Sequence, residues 1–147
     1  MFHQMEGVRV FEESEYPDSV RSIDAASDEG RAARVAHVET HLKATLEKLA
    51  ASLYGEGKEM RWVDAYFPFT DPSIELEIWY GDEWLEVLGC GVVEQEIMRD
   101  AGLGERVGWA FGLGLERLAM VLFGIGDIRL FWSEDPRFIS QFKDDLE

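Results

Sequence analysis

Residues 73–93 carry the pattern that most restricts the fold, an alternation of apolar and polar side chains on both sides of a short turn. One face of the first strand would carry Ile74, Leu76, Ile78 and Tyr80, and the other face would carry Glu75 and Glu77. Gly81-Asp82-Glu83 supplies the turn and WLEVLGCGVV returns as the second strand, so the pattern predicts an antiparallel hairpin. Because no βαβ unit repeats, we expect an α+β fold, an antiparallel sheet flanked by helices.

The other elements are predicted from the spacing of apolar residues. Apolar side chains recur every three or four residues from Ala32 to Tyr54 and predict a long helix, which Gly55 would end. GVRVFEE, residues 7–13, predicts a strand, and the acidic segment 13–30 predicts a loop. We also expect strands at EMRWVDAYF and GWAFGLG, a short helix at EQEIMRDAG, and a last helix with the apolar face Leu115, Leu118, Ala119 and Leu122.

Composition limits the classes of function. The 147 residues fit one domain, and 30 acidic against 14 basic residues give a net charge of −16. A free-standing nucleic-acid binder usually has the opposite sign, so an RNA partner would find most of its contacts elsewhere. Cys90 is the only cysteine, which excludes an intrachain disulfide and favours a reducing compartment. No apolar run approaches a membrane span, and we expect no targeting peptide in this chain.

The stretch GWAFGLGLERLAM, residues 108–120, places glycines ahead of an arginine. Gly112 and Gly114 would let a flat group lie on the strand, and Arg117 would lie about one turn into the following helix. A guanidinium there can bind a phosphate with two hydrogen bonds, which suits a nucleotide. The alternative is a glycine-rich strand packed tightly on a helix, with Arg117 in a surface ion pair.

Three further clusters allow a functional and a structural interpretation. Phe67 and Phe69, on either side of Pro68, would form walls for an aromatic ligand or belong to the core. The hairpin carboxylates Glu75, Glu77 and Glu86 would hold Mg²⁺ on phosphates or form a solvated face. His37 and His41 lie one helical turn apart, but the order of residues differs from a zinc-binding HExxH helix, so we expect a solvated helix face.

The stretch GWAFGLGLERLAM resembles motif 3 of the class II aminoacyl-tRNA synthetases. FHQMEG, YFPFTDPSIELEI, WLEVLGCGVVEQEIM and DIRLFWSEDPRFISQF resemble the catalytic module of phenylalanyl-tRNA synthetases of the single-chain, mitochondrial type. The resemblance covers essentially all 147 residues in order. It implies the α+β fold of a class II catalytic domain, with an antiparallel sheet flanked by helices.

The resemblance also implies the roles of the residues that would bind phenylalanine. Gln4 and Glu6 match positions that hold the α-ammonium group, for which an amide oxygen and a carboxylate are suitable acceptors. Phe67 and Phe69 match two aromatic residues that sandwich the substrate ring. Cys90 matches the position that governs the space at the para carbon of the ring, and the adjacent Gly91 is a further candidate for contact with phenylalanine.

For the nucleotide, the resemblance implies that Gly112 and Gly114 lie under adenine and that Arg117 contacts ATP. Glu86 is the candidate magnesium ligand, and Arg117 and Glu86 are the candidate catalytic residues. The implied reaction activates phenylalanine with ATP and Mg²⁺ and transfers it to tRNA(Phe). The implied location is the mitochondrial matrix, and without a targeting peptide the alternative is the cytoplasm.

The resemblance implies a partial domain, in which residues 1–147 run from the second strand of motif 2 through motif 3. Motif 1, the first motif 2 strand and the anticodon-binding domain would be absent, and the missing half of the catalytic domain is a candidate partner. We therefore expect that the chain alone does not form phenylalanyl-adenylate. The alternative is an inactive remnant or paralogue that binds a nucleotide, an amino acid or another protein.

Overall fold

A five-stranded antiparallel sheet forms the centre of the protein, whose computed structural model describes residues 1–142. The strands lie in the order β1-β5-β4-β3-β2, and every neighbouring pair is antiparallel. Their bounds are β1 (Gln4–Val10), β2 (Met60–Phe67), β3 (Thr70–Tyr80), β4 (Glu83–Val93) and β5 (Gly108–Gly114). This architecture confirms the predicted α+β class, while residues 143–147 of the expected domain lie outside the described part.

Helices flank the sheet. They are α1 (Asp18–Arg21), α2 (Asp28–Tyr54), α3 (Gln95–Asp100), α4 (Leu115–Phe123) and α5 (Pro136–Ile139), with 3-10 turns at Glu13–Glu15, Ile128–Trp132 and Ser140–Phe142. Within residues 1–142, no helix combines the length and the apolar character that crossing a bilayer requires.

Helix α2 confirms the longest predicted helix but begins four residues earlier. The hydroxyl of Ser27 accepts a hydrogen bond of 3.0 Å from the backbone N–H of Gly30, which caps the first turn. The prediction of a loop over residues 13–30 is therefore wrong, because this segment contains a 3-10 turn, α1 and the start of α2. Val38, Leu42 and Leu46 of α2 are fully buried and pack against the sheet.

The β3–β4 hairpin confirms the predicted alternation and extends it back to Thr70. Gly81 and Asp82 form the two-residue turn with φ angles of 58° and 70°, the left-handed region that such tight turns require. The predicted first strand is also present, although it spans Gln4–Val10 instead of residues 7–13. It pairs along its whole length with β5, about a hundred residues further along the chain.

Helix α4 is present, but its predicted apolar face is wrong in part. Leu115 and Leu122 are exposed, whereas Leu118 and Val121 pack against the core. The helix begins at the end of β5 with the carboxylate of Glu116 turned inward, so the buried stripe is rotated relative to the prediction.

The two faces of the sheet differ in character. The face towards α2 is the hydrophobic core, which includes Ile74, Leu76, Leu88, Cys90 and Leu113. Because strand residues alternate between faces, the opposite face carries the glycines and the short side chains of β4 and β5. This second face is open enough to hold a ligand.

Candidate active site

The open face of the sheet forms a cavity of about 910 Å³ that extends from β1 across β5 to β4. Residues from distant parts of the chain line it, among them Gln4, Glu6, Phe67, Phe69, Glu86, Gly89, Ala110, Gly112, Gly114, Arg117 and Trp132. The antiparallel register places β1, β5 and β4 side by side, so the sheet assembles residues that the sequence separates.

At one end of the cavity, two polar side chains of β1 lie over the glycines of β5. Gln4 pairs with Gly114 and Glu6 pairs with Gly112 in the β1–β5 register. A side chain on Gly112 would lie 3.7 Å from the Gln4 Nε2 atom and 3.9 Å from the Glu6 Cγ atom. Gln4 and Glu6 therefore present an amide and a carboxylate to the same space, the acceptors that an ammonium group needs.

The two phenylalanines lie at the same cavity, but they do not leave room between them for a third ring. The rings of Phe67 and Phe69 are nearly parallel, at 12°, with centroids 5.8 Å apart. A ring sandwiched between them would need about 7 Å, two van der Waals separations of ~3.5 Å. As the two rings lie here, they leave no space for a sandwiched ring, and a ligand ring would meet the pair from the side; their contact with phenylalanine stays a prediction. The core interpretation is wrong for Phe69, which is 51% exposed.

Cys90 borders the cavity through β4, but its side chain lies on the core face of the sheet. Gly89 faces the cavity side, where a side chain on it would collide with the Phe67 ring, and the next residue along the strand faces away. Cys90 pairs with Ile74 and Phe111 and is only 3% exposed within the core against α2. Cys90 is among the residues that border the cavity, but its side chain packs in the core against α2, so its role at the para carbon of a ligand ring stays a prediction that this burial argues against. Burial raises the pKa of its thiol to about 12.

Gly91 also has a structural role instead of the predicted contact with substrate. A side chain on Gly91 would collide with the carbonyl oxygen of Pro72 and would lie 2.6 Å from the Thr70 Cβ atom. Gly91 is therefore needed for the close approach of β3 to β4, and it is not among the residues that line the cavity.

Ala110 is a cavity residue that the sequence analysis missed. It pairs with Val8 of β1 and with Gly91 of β4, and it lines the cavity on the same face of β5 as Gly112 and Gly114. The signal was available, because in GWAFGLG every second residue from Gly108 to Gly114 has a small or absent side chain.

At the other end of the cavity, Arg117 of α4 contacts Glu86 of β4. The Arg117 NH1 atom donates to the Glu86 carbonyl oxygen and forms an ion pair with Glu86 Oε2, both at 2.8 Å. Both side chains remain about two-fifths exposed. Arg117 thus lies in an ion pair, as the structural interpretation predicted, yet its NH2 and Nε atoms have no partner among the described residues.

The three hairpin carboxylates lie near one another. Glu77 pairs with Glu86 across the hairpin and also contacts Arg61, with 2.5 Å between Nε and Oε2. Burial raises the pKa of Glu75, and the charges of Glu86 and Glu77 raise it further, so Glu75 is not part of a fully solvated face.

The donor set at this end of the cavity is incomplete for a metal held by protein alone. Within residues 1–142, no three His, Cys, Asp or Glu side chains are grouped closely enough to hold a metal ion. Mg²⁺ is usually bound by one or two carboxylates together with substrate phosphates, and Glu86 can provide one such ligand once a nucleotide is present.

The two histidines of α2 do not form the predicted solvated face. The His41 Nδ1 atom accepts a hydrogen bond of 3.2 Å from Trp109 Nε1, and its Nε2 atom lies 3.0 Å from Arg9 NH1. The His37 ring contacts Phe11 and Tyr16, with centroid separations of 6.1 and 5.4 Å. Both rings therefore pack between α2 and its neighbours.

An antiparallel sheet whose glycine-rich strand leads into an arginine-bearing helix defines the core of a class II aminoacyl-tRNA synthetase. The family described as "tRNA synthetases class II core domain (F)" matches residues 9–142, and the chain belongs to this family. Class II synthetases in general use ATP and Mg²⁺.

Individual relatives agree with this assignment. The chain is 52% identical, over 97% of its length, to the mitochondrial phenylalanine–tRNA ligase of Rattus norvegicus. It is 56% identical, again over 97%, to the chloroplastic/mitochondrial enzyme of Arabidopsis thaliana, and 39% identical to the phenylalanine–tRNA ligase alpha subunit of Shigella boydii. The aligned regions cover 33%, 30% and 38% of those proteins, so the chain spans about a third of the length of these relatives.

Proposed function

We propose that this chain is part of a phenylalanine–tRNA ligase and that its cavity binds phenylalanine and ATP for the formation of phenylalanyl-adenylate. One observation carries the proposal: Gln4 and Glu6 lie at one end of a single cavity and Arg117 at the other, with the glycines of β5 between them. We assign residues 1–147 to the part of the catalytic domain from the second strand of motif 2 through motif 3.

In this proposal the amino acid occupies the β1 end of the cavity. Glu6 and Gln4 accept hydrogen bonds from the α-ammonium group, which orients the carboxylate towards the nucleotide. The side-chain ring extends towards Phe67 and Phe69 and contacts them from the side. Ala110 is the small residue beneath this part of the cavity.

ATP occupies the α4 end, with its base on the glycines of β5 and its phosphates at Arg117. The unpartnered nitrogens of Arg117 are available for the phosphates while NH1 remains near Glu86. Glu86 is the candidate ligand for Mg²⁺, which would neutralise phosphate charge when bound.

The first reaction follows from this order of groups. A carboxylate oxygen of phenylalanine forms a bond to the α-phosphorus of ATP, and the bond to the bridging oxygen breaks, which releases pyrophosphate. The acyl group then passes to the terminal ribose of tRNA(Phe). Neither step needs a protein nucleophile, so the residues act by positioning and charge stabilisation. The relatives make the mitochondrion the location that we propose.

The test is to titrate purified protein separately with phenylalanine and with ATP and Mg²⁺. We expect Arg117→Ala to weaken ATP binding and leave phenylalanine binding nearly intact, and Glu6→Ala to have the opposite effect. Arg117→Lys should restore only part of the ATP affinity, because an ammonium group lacks the planar, forked geometry of a guanidinium. ATP affinity unchanged in Arg117→Ala would contradict the proposed nucleotide end.

Pyrophosphate exchange separates the ligase from the alternative of a non-catalytic remnant. Exchange that requires phenylalanine and is lost in Arg117→Ala would show the activation step and exclude contamination. Because the chain spans about a third of its relatives' length, the assay is run both alone and with a separate polypeptide that carries the relatives' motif 1 and first motif 2 strand. Binding of both ligands without exchange even in the presence of that polypeptide is the result that the remnant alternative predicts.

A further inference from the structure

Glu116 is a buried carboxylate beside Arg117 that the proposed reaction does not use. It lies in the first turn of α4 and is only 8% exposed. A carboxylate removed from water is costly unless hydrogen-bond donors compensate it, so its partners indicate its role.

Within residues 1–142, His3, the residue directly before β1, is the one other residue that donates hydrogen bonds to the Glu116 carboxylate. The backbone N–H of His3 donates to both Glu116 oxygens at 3.0 Å, and the His3 Nδ1 atom lies 2.8 Å from Oε1. Because a carboxylate only accepts hydrogen bonds, Nδ1 carries a proton in this contact. Burial would raise the pKa of Glu116, but hydrogen bonds from His3, together with the backbone N–H of Glu116 itself, outweigh this effect and the pKa is lowered.

A further contact completes the attachment of His3 to α4. The backbone N–H of Leu115 donates to the His3 carbonyl oxygen at 2.9 Å. The His3 side chain is 63% exposed, so hydrogen bonds and not burial hold this residue in place. We call these contacts of His3 with Leu115 and Glu116 the His3 clamp.

The clamp lies directly before the residues at the amino-acid end of the cavity. Gln4 follows His3 and Glu6 lies two residues further, both in register with glycines of β5. Because β1 is an edge strand, β5 is its one neighbouring strand within the described residues, and the clamp holds the residue that directly precedes it.

We propose that Glu116 is a positioning residue, which holds the start of β1 so that Gln4 and Glu6 are placed to receive the ammonium group of the amino acid. Its neighbour Arg117 contacts the nucleotide end, so the first turn of α4 would align both ends of the cavity. That the ligand is an amino acid rests on the proposed function, whereas the contacts that make up the His3 clamp do not depend on it.

Four variants separate this role from a general effect on stability. Glu116→Ala removes every side-chain acceptor of the clamp, and Glu116→Gln keeps the volume and one acceptor oxygen. His3→Ala removes the ring but retains both backbone N–H contacts, so it should be mild. Glu105→Ala is the matched control, because it removes an exposed ion pair with Arg99 away from the cavity.

The experiment measures amide hydrogen exchange in residues 3–6 and the dissociation constants of phenylalanine and ATP. We expect Glu116→Ala to accelerate exchange and to weaken phenylalanine binding by about tenfold each, with a change of about twofold or less for ATP. Glu116→Gln should be intermediate, and Glu105→Ala should match the wild type. If Glu116→Ala does not fold, Glu116→Gln is compared with His3→Ala in the same way.

The outcomes are distinguishable from those of the proposed function. Unchanged exchange in residues 3–6 would overturn the clamp, and faster exchange with unchanged phenylalanine affinity would overturn the positioning role. A wild-type protein that binds no phenylalanine would contradict the proposed function and with it the ligand-positioning role, while the exchange rates would still decide whether Glu116 holds β1.

Discussion

Cys90 and Ala110 show that the position of a residue on its strand decides whether its side chain enters the core or the cavity. Both lie on strands that border the cavity, but Cys90 faces the core with α2, whereas Ala110 faces the open side with Gly112. A glycine on each side of Cys90 conceals the alternation in the sequence, since neither neighbour marks a face. Assigning a single strand residue to the core or to the cavity therefore requires the strand register, which the sequence does not supply.

The contrast predicts different effects for two small truncations. Cys90→Ala should lower the free energy of unfolding by about 1 kcal/mol, because it leaves a small void in a packed core. Ala110→Gly should instead widen the cavity and improve binding of para-chlorophenylalanine relative to phenylalanine, within the ~1–3 kcal/mol that one small group contributes. Urea unfolding and ligand titration measure the two effects. Improved binding of the larger ligand by Cys90→Ala, and not by Ala110→Gly, would contradict this assignment of faces.

His41 gives the protein a predictable dependence on pH. Burial lowers its pKa below the ordinary value of 6.5, and the charges of Arg9, His37 and Lys48 add to this, while Glu15 opposes it. A histidine that resists protonation when folded binds protons more readily when unfolded, so its contribution to stability is lost as the pH falls through about 6.5. We expect the free energy of unfolding to be lower at pH 5.5 than at pH 7.5, and we expect this difference to be smaller in the His41→Gln variant.

The measurement is the midpoint of urea unfolding for both proteins at both pH values. Gln at position 41 can still accept from Trp109, so the comparison removes the titration and keeps an acceptor. An equal pH dependence in the two proteins would assign the effect to other groups.

At the scale of elements, the spacing of apolar residues predicts the helices and hairpins whose repeats lie within one continuous segment. Helix α2 and the β3–β4 hairpin were both predicted because their apolar repeats lie within one continuous segment. The pairing of β1 with β5 was not, since its two strands are about a hundred residues apart and neither signals its partner. The predicted apolar face of α4 is wrong in part because the carboxylate of Glu116 is turned towards His3, which the sequence of this helix does not signal.

Alanine substitutions at two glycines, Gly91 of β4 and Gly114 of β5, should have different effects, the first on stability and the second on ligand binding. Gly91→Ala forces a side chain against Thr70 and Pro72, and we expect it to cost about 1–3 kcal/mol of stability. Gly114 has no other atoms within 4 Å of its added side-chain position and its φ is −73°, so Gly114→Ala should fold normally. The added methyl group would enter the cavity and weaken ATP binding by about tenfold, or ~1.4 kcal/mol.

Thermal unfolding and ATP titration of the two alanine variants distinguish these effects. A destabilised Gly114→Ala would contradict the open space at that position. A Gly91→Ala variant as stable as the wild type would contradict the close approach of β3 and β4.

At the scale of the whole molecule, the cavity joins the beginning and the end of the described chain. Gln4 and Glu6 come from the first strand, Arg117 comes from α4, and Trp132 donates a hydrogen bond to the Met1 carbonyl oxygen. The resemblance in the sequence proposed Gln4, Glu6 and Arg117 as site residues, but only the assembled sheet shows that they line one cavity. The net charge of −16 also fits a catalytic core better than a surface that binds tRNA by itself.

The central claim is that one cavity holds phenylalanine at β1 and the nucleotide at α4. The most direct measurement is calorimetric binding of a stable adenylate analogue, phenylalanyl-sulfamoyl-adenosine, in which a sulfamate stands for the α-phosphate. We predict that the analogue binds more tightly than either phenylalanine or adenosine monophosphate, and that Glu6→Ala and Arg117→Ala each weaken it by about tenfold or more. Glu105→Ala should bind it as the wild type does. No gain over the separate ligands, or affinity that neither substitution changes, would contradict the account.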